Sequence, residues 1–334
     1  MKEFDIRPKR LFDDFLKISR NDIKDYFSSH NKFVKINCPA CDASNHKKEF
    51  LKDTFQYVKC VRCLSLFVSP RPTEEMINKF YAESPTSKFW ANRFFPETEV
   101  ARKEKIFRPR AEAISALLEG LEFENQLILA DIGCGYGSFL EEMKKMNICD
   151  EIFGIEPSAD LAACSREKGF RVVEKPLESI KDNEINVSCL TSFELVEHLF
   201  SPLKFLRNVY NILEENGIFI FTTLTISGFD LLTLGKKSKS ISPPHHINFM
   251  STEGLEILME RAGFKILNIE TPGKLDLDIV ENMLEEDKNI NLPNFMKYLI
   301  NNRDNKTKKE FQKFLQRNRM SSHVRVVGQK KRSK

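Results

Sequence analysis

The chain reads as an α/β protein with a doubly wound, mostly parallel sheet, a small four-cysteine ribbon ahead of it and a helical carboxyl-terminal extension. Three observations carry that reading. Between about residues 107 and 272, short apolar runs alternate with helical segments, the pattern of parallel strands covered on both faces. Inside that stretch a glycine-rich loop follows one strand and opens the next helix. Before it, two Cys-x-x-Cys pairs are separated by eighteen residues.

Residues 1–33 read as helix, with Leu11, Phe12, Phe15, Leu16 and Ile18 at roughly helical spacing. Residues 34–70 hold the cysteine pairs and two β-like runs, 55–58 and 66–68. Ser69-Pro70-Arg71-Pro72-Thr73 interrupts structure, and Thr73 is placed to cap the helix that follows within a helical linker, 71–106. Residues 110–120 are helical and end in glycine. The runs 127–130, 152–155, 170–173, 185–190, 218–222 and 265–269 are the expected strands. The segments 139–146, 159–168, 203–213 and 252–262 are the expected helices between them. Beyond Pro272 the extension, 273–334, turns polar and lysine-rich, with helices near 275–287 and 308–318 and an alternating run, 323–327, that could add an edge strand. No internal repeat is visible.

Composition narrows the classes. Of 334 residues, 41% are hydrophobic and 30% charged, which suits a soluble globular protein and excludes wholesale disorder. Fifty-two basic residues against 48 acidic ones leave a net charge of +4. That balance argues against a nucleic-acid partner, and the basic tail 329–334 reads as a solvated end. The first twelve residues lack the apolar core of a signal peptide, and no apolar run is long enough to span a membrane. A cytoplasmic location is expected, where thiols stay reduced, so the eight cysteines are not a disulfide framework. Cys134, Cys149, Cys164 and Cys189 are scattered and read as small buried apolar residues.

The strongest chemical signal is Asp131-Ile132-Gly133-Cys134-Gly135-Tyr136-Gly137-Ser138. Glycines there allow a sharp turn and close approach to a ligand, and the helix start offers free N–H groups. A dinucleotide fingerprint requires glycine at the sixth position from Gly133, where Ser138 stands. Asp131 would also repel a pyrophosphate, so a ligand with a cationic end fits better. Glu156 ends the next strand, where a carboxylate can accept from both ribose hydroxyls of an adenosine. A third run, Phe193-Glu194-Leu195-Val196-Glu197-His198-Leu199-Phe200-Ser201-Pro202, continues the strand at 185–190.

These motifs, in this order, resemble the class I S-adenosylmethionine methyltransferases, and the last run is similar to their Val-x-Glu-His-Leu-x-x-Pro signature. The resemblance covers 107–272. It implies a Rossmann-like sheet and assigns Asp131, Gly133, Gly135, Gly137, Glu156 and Phe193 to the cofactor.

Cys38-Pro39-Ala40-Cys41 and Cys60-Val61-Arg62-Cys63 have the spacing of two zinc knuckles. Four thiolates close a tetrahedral Zn²⁺ site, which makes it structural. His46 between the knuckles reads as a surface residue. A redox Cys-x-x-Cys would not explain two pairs. A ribbon joined to such a domain resembles the sugar C-methyltransferases and related enzymes of surface-polysaccharide synthesis.

Transfer to a hydroxyl or carbon acceptor needs a base, and histidine titrates near neutrality. His198, after the strand at 185–190, and His245 and His246, in Ser242-Pro243-Pro244-His245-His246, fall beyond the carboxyl ends of strands, where such sheets bind ligands. The sugar enzymes carry Tyr-x-Glu-His at the second place. Here only His246 matches, which makes it the first choice for the base and leaves carbon methylation in doubt. His245 can also be read as a solvent-facing loop residue, and His198 as a residue organising its loop. The expected acceptor is a small molecule, a sugar or nucleotide-sugar metabolite. An RNA base methyltransferase and a non-catalytic binding protein of the same fold are the alternatives. Oligomeric state is left open.

Overall fold

The computed structural model describes residues 1–181 and 184–331. Residues 332–334 of the basic tail lie outside the described residues. Eleven strands make two sheets among those residues. The ribbon contributes β1 (His46–Lys52), β2 (Phe55–Cys60) and β3 (Leu66–Val68). The main sheet contributes β4 (Ile128–Ile132), β5 (Glu151–Ile155), β6 (Arg171–Val173), β7 (Val187–Phe193) and β8 (Leu213–Leu224). After a two-residue strand, β9 (Asn248–Phe249), it is completed by β10 (Phe264–Glu270) and β11 (His323–Lys330).

The seven-stranded sheet runs β10-β11-β8-β7-β4-β5-β6. β8, β7, β4, β5 and β6 are mutually parallel, with Asp131 beside Thr191 of β7 and Gly154 of β5. All expected strands and the helices between them are present. They form because the central strands are buried on both faces: β7 is buried along six of its seven residues, Ser188, Thr191 and Ser192 included, and β8 along its last eight. The chain starts at β4 in the middle, moves outward to β6, then returns to β7. The turn from β4 and the loop from β7 therefore diverge at a topological switch point, where open α/β sheets bind ligands. The run expected as an edge strand is instead interior. β11 lies antiparallel between β8 and β10, with Val326 facing Phe221 and Ile269. Its alternation is real: Val324, Val326 and Val327 are buried, while His323 and Arg325 between and beside them are only partly so.

Two helices were not evident from the sequence, Phe229–Leu234 and Asn294–Asn302. Together with Asp276–Glu286 they bury Leu234, Leu277, Val280, Met296 and Leu299 in a satellite core.

The ribbon sheet has the order β1-β2-β3-β9. β1 escaped sequence reading because it is mostly exposed and carries four lysine or histidine residues in seven. β9 comes from the large domain: Leu66 pairs with Phe249 and Phe67 with Asn248. The amino-terminal helix Lys9–Phe27 packs Ile23 and Phe27 against Phe55, Tyr57 and Phe80. Thr73 caps the helix Glu74–Glu83 through Met76 N–H, as expected. No helix of the described residues is long and apolar enough to cross a membrane.

Candidate active site

The glycine loop makes a cradle at the carboxyl end of β4. Gly133, Gly135 and Gly137 have φ values of +73°, +52° and +70°, which L side chains rarely adopt. A Cβ at Gly133 or Gly135 would meet nothing within 4 Å, so open space lies above both. Gly137 differs: a Cβ there would come 2.8 Å from Ser165 Oγ, so its lack of a side chain lets the loop close on the helix Ala159–Glu167. Glu156 faces this space from the end of β5. Its Oε2 accepts from Gly135 N–H at 3.0 Å and its Oε1 from Ser158 N–H at 3.0 Å. Burial raises its pKa while those two N–H groups lower it. Each oxygen keeps a lone pair for a further donor. Asp131 is buried, and Thr191 Oγ1 donates to its Oδ1 at 2.7 Å. Burial pushes its carboxyl up to about 7 despite that bond. Phe193 closes the side: its ring is edge-on to Phe139 at 4.6 Å, with the Arg110 guanidinium 4.1 Å above it.

The loop after β7 begins with Glu194 at φ +53°. Glu194 accepts from Thr222 Oγ1 at 2.6 Å and pairs with His323 Nε2 at 2.6 Å and Arg110 at 3.4 Å. Burial acts to raise its pKa, but His323 and Arg110 hold it well below the usual carboxylate range. Glu197 is fully buried. Its Oε2 accepts from Thr223 Oγ1 at 2.7 Å, its Oε1 has no partner, and burial with Glu194 nearby pushes it up to about 8.

The structure brings His198 and His246 together and turns His245 away. The first two rings lie 4.9 Å apart. His198 Nδ1 is 2.9 Å from the Tyr81 hydroxyl, and His246 Nδ1 is 2.5 Å from the Ser240 carbonyl oxygen. His245 is not a solvent-facing residue: it is 7% exposed and packs among Phe15, Phe80 and Tyr81, with Nε2 unpartnered. Burial lowers all three imidazoles, His246 to about 4 and His245 to about 3. All are neutral at pH 7.

The four ribbon cysteines converge. Cys38 Sγ lies 3.5 Å from Cys63 Sγ, and Cys41 Sγ 3.5 Å from Cys60 Sγ; all four sulfurs lie within 4.8 Å of one another and are buried. These separations are too long for disulfides. His46 stands apart from the thiols, its ring edge-on to Phe67. Arg71, fully buried, ties the ribbon to the histidine loops. It donates to the carbonyls of Val68 at 3.0 Å and Phe200 at 2.9 Å and to Asn248 Oδ1 at 2.9 Å. Asn248 in turn donates to Leu199 O at 2.7 Å.

Sequence reading missed Tyr81, Arg71, Asn248 and the orphaned oxygen of Glu197. Glu197 was visible within the run it shares with His198. Tyr81 and Arg71 had no signal, because the partners that place them at the site, His198 and His245 for Tyr81 and Phe200 and Asn248 for Arg71, lie more than a hundred residues away.

A family model described as a methyltransferase domain matches residues 98–269. The ubiquinone biosynthesis O-methyltransferase of Azorhizobium caulinodans is 28% identical over 152 residues, covering 42% of this chain and 59% of that one. The mitochondrial enzyme of the same name from Candida albicans is 26% identical over 132 residues, covering 36% and 40%. The matches thus take in about half the length of these relatives. Among solved structures, the plantazolicin methyltransferase BpumL bound to SAH is 13% identical with a TM-score of 0.49, covering 77% of this chain and 94% of that one. A methyltransferase from Thermotoga maritima, described as a possible histamine N-methyltransferase, is 19% identical with a TM-score of 0.46, covering 72% and 97%.

Proposed function

The chain belongs to the methyltransferase-domain family, and from that premise we propose that it transfers a methyl group from S-adenosylmethionine to a small-molecule acceptor. The observation that carries this is the cradle itself: open space above Gly133 and Gly135, facing a buried Glu156 whose two oxygens are fixed by backbone N–H groups. Asp131, Gly133, Gly135, Gly137, Glu156 and Phe193 would hold the cofactor, Glu156 through its ribose and Asp131 on the side of its ammonium. When bound, the cofactor supplies an electrophilic methyl on a sulfonium. The protein's part is to orient the acceptor in line and take up its proton.

The acceptor's proton is drawn off at the histidine cluster, with His246 as its first member and His198 beside it. His245 supports that pair from the aromatic core behind it. An oxygen acceptor is favoured, since the curated relatives are O-methyltransferases and the Tyr-x-Glu-His run of the sugar C-methyltransferases is absent. Sugars and nucleotide sugars remain the first acceptors to screen, with phenolic compounds next.

The ribbon's four thiols fit a structural Zn²⁺. A tetrahedron with Zn–S bonds of about 2.3 Å has sulfurs about 3.8 Å apart, close to the 3.5 Å pairs seen. Four protein ligands leave no open position for chemistry.

Calorimetric titration of S-adenosylhomocysteine tests the cofactor reading. Glu156→Ala should weaken binding by about 1.5–3 kcal/mol for each ribose bond lost. Unchanged affinity in the variant, or preferential binding of NAD by the parent, would overturn it.

A further inference from the structure

We propose that Glu197, His198 and His246 form a second metal site, which binds one divalent transition-metal ion apart from the four cysteines. The three side chains come from two loops, the one after β7 and the one before β9. Each offers a ligand atom, and these atoms all lie within 4.8 Å of one another.

Proton positions point to a cation there. The Ser240 carbonyl can only accept, so the His246 nitrogen 2.5 Å from it, Nδ1, carries the ring's hydrogen. Neutral imidazole has one N–H, so Nε2 of His246 presents a bare lone pair. Tyr81 can perform the same service for His198 by donating its one hydroxyl proton to the His245 carbonyl at 3.3 Å. With that proton on the carbonyl, Tyr81 accepts from His198 Nδ1–H at 2.9 Å and Nε2 of His198 is bare as well; with it on Nδ1 instead, the ring's hydrogen moves to Nε2. The third member is Glu197 Oε1, buried and without a partner, although the other oxygen of the same carboxylate is bonded to Thr223. Buried polar atoms rarely go unpaired. A bare imidazole nitrogen and an orphaned carboxylate oxygen in one cluster of this size call for something positive between them, a metal ion or a proton.

The surroundings match those of known metal centres. A ligating histidine usually donates its other N–H to an oxygen, which fixes the tautomer and the ring. Ser240 accepts in this way here, and Tyr81 does so when its own proton is on the carbonyl. One carboxylate oxygen and two imidazole nitrogens suit Mn²⁺, Fe²⁺, Co²⁺ or Zn²⁺ better than Mg²⁺ or Ca²⁺. Three protein ligands leave coordination positions open, unlike the closed cysteine site. On the reading of the cleft as a methyl-transfer site, an open position binds the acceptor's oxygen and lowers its pKa. The acceptor's proton would then pass to solvent water, and His246 would hold the ion in place of the free-base role given above. The rival occupant is a single proton shared between Glu197 and a histidine.

The test needs neither acceptor nor turnover. Protein purified with zinc in its cysteine site is titrated with Mn²⁺, and free Mn²⁺ is followed by electron paramagnetic resonance. Co²⁺ is added in a parallel visible-absorption titration. The expected result is one Mn²⁺ per chain, and cobalt bands lacking thiolate charge transfer. Glu197→Gln and His246→Gln should each weaken Mn²⁺ by at least about tenfold, and Tyr81→Phe by roughly tenfold through the lost support. Thermal melts and retained zinc show that each variant is folded. Binding of S-adenosylhomocysteine by the same samples reports separately on the cofactor reading. Absence of Mn²⁺ and Co²⁺ binding by the parent protein, or equal binding by the folded Glu197→Gln variant, overturns the site and leaves the shared proton.

Discussion

The seven-stranded sheet and the four-stranded ribbon sheet share one chain and reach order differently. β7 and the later part of β8 are buried nearly throughout, and their β-branched, aliphatic and aromatic residues favour strands from local sequence. The ribbon has no such resource. β1 is largely exposed, β3 is three residues long, and the fourth strand belongs to another part of the chain. Its interior is the cysteine cluster, continuous with Phe67, Leu255 and Leu258 of the larger core. The ribbon is therefore packed against the candidate site rather than set apart as an appendage. Its strand partner β9 starts two residues after His246, and Arg71 holds both histidine loops. Order at the ribbon and geometry at the site should fail together, while the cofactor cradle survives.

The double variant Cys38→Ser/Cys60→Ser tests this at its strongest. Metal binding supplies much of the folding free energy of so small a module. Zinc should drop from one equivalent to none, amide protection should vanish from β1–β3 and β9, and turnover should be lost. Affinity for S-adenosylhomocysteine should change little. Zinc retained when Glu197→Gln is added to the double variant would refute the cysteine assignment, and intact protection at β9 would break the link between ribbon and site.

Next in size is His246→Gln, which should slow turnover about 10²–10⁴-fold with cofactor affinity nearly intact. A pH–rate profile of the parent should lack any histidine limb between 6 and 8, because burial holds His246 down at about 4. Near-parental turnover in the variant would move the proton's acceptor elsewhere.

Arg71→Met probes the same connection without touching metal or histidines. It strips donors from buried carbonyls of Val68 and Phe200 and from Asn248. Each buried acceptor left unsatisfied costs about 1–3 kcal/mol, so denaturant unfolding should show a loss on the order of 3 kcal/mol. A variant as stable as the parent would mean that water replaces the guanidinium.

The same contrast governs what could be read from sequence. The main sheet was legible because strand and helix periods are written in local residues, and the cradle because three glycines, Asp131 and Glu156 lie within 26 residues. The cysteine knuckles were legible for the same reason. What could not be read was pairing over distance: β9 completing the ribbon, Arg71 reaching Phe200 and Asn248, Tyr81 reaching His198. β11 was seen as a strand but placed at the edge, since alternation tells how a strand is patterned and not which neighbours receive it. His245 looked like a loop residue because its aromatic shell comes from Phe15, Phe80 and Tyr81, all more than 160 residues earlier.

The smallest expected effect lies wholly within the cradle and so isolates it from the ribbon. Burial raises Asp131 from an ordinary 3.8 to about 7. A raised acid favours the folded state when protonated: this contribution is complete below about pH 4 and is lost as pH rises through 7. The free protein should therefore lose stability between those values. S-adenosylmethionine brings an ammonium and a sulfonium, which favour ionised Asp131. Below pH 7 its binding must expel a proton, so affinity should rise by up to about tenfold per pH unit and level off above 7. Asp131→Asn should flatten the profile and weaken binding at pH 8. Thr191→Val removes the hydroxyl that stabilises the ionised carboxylate, so its plateau should begin at higher pH. S-adenosylhomocysteine, which keeps the ammonium but lacks the sulfonium, separates the two charges. An equal pH slope for both ligands places Asp131 against the ammonium, whereas a flat profile in the parent would remove Asp131 from cofactor binding.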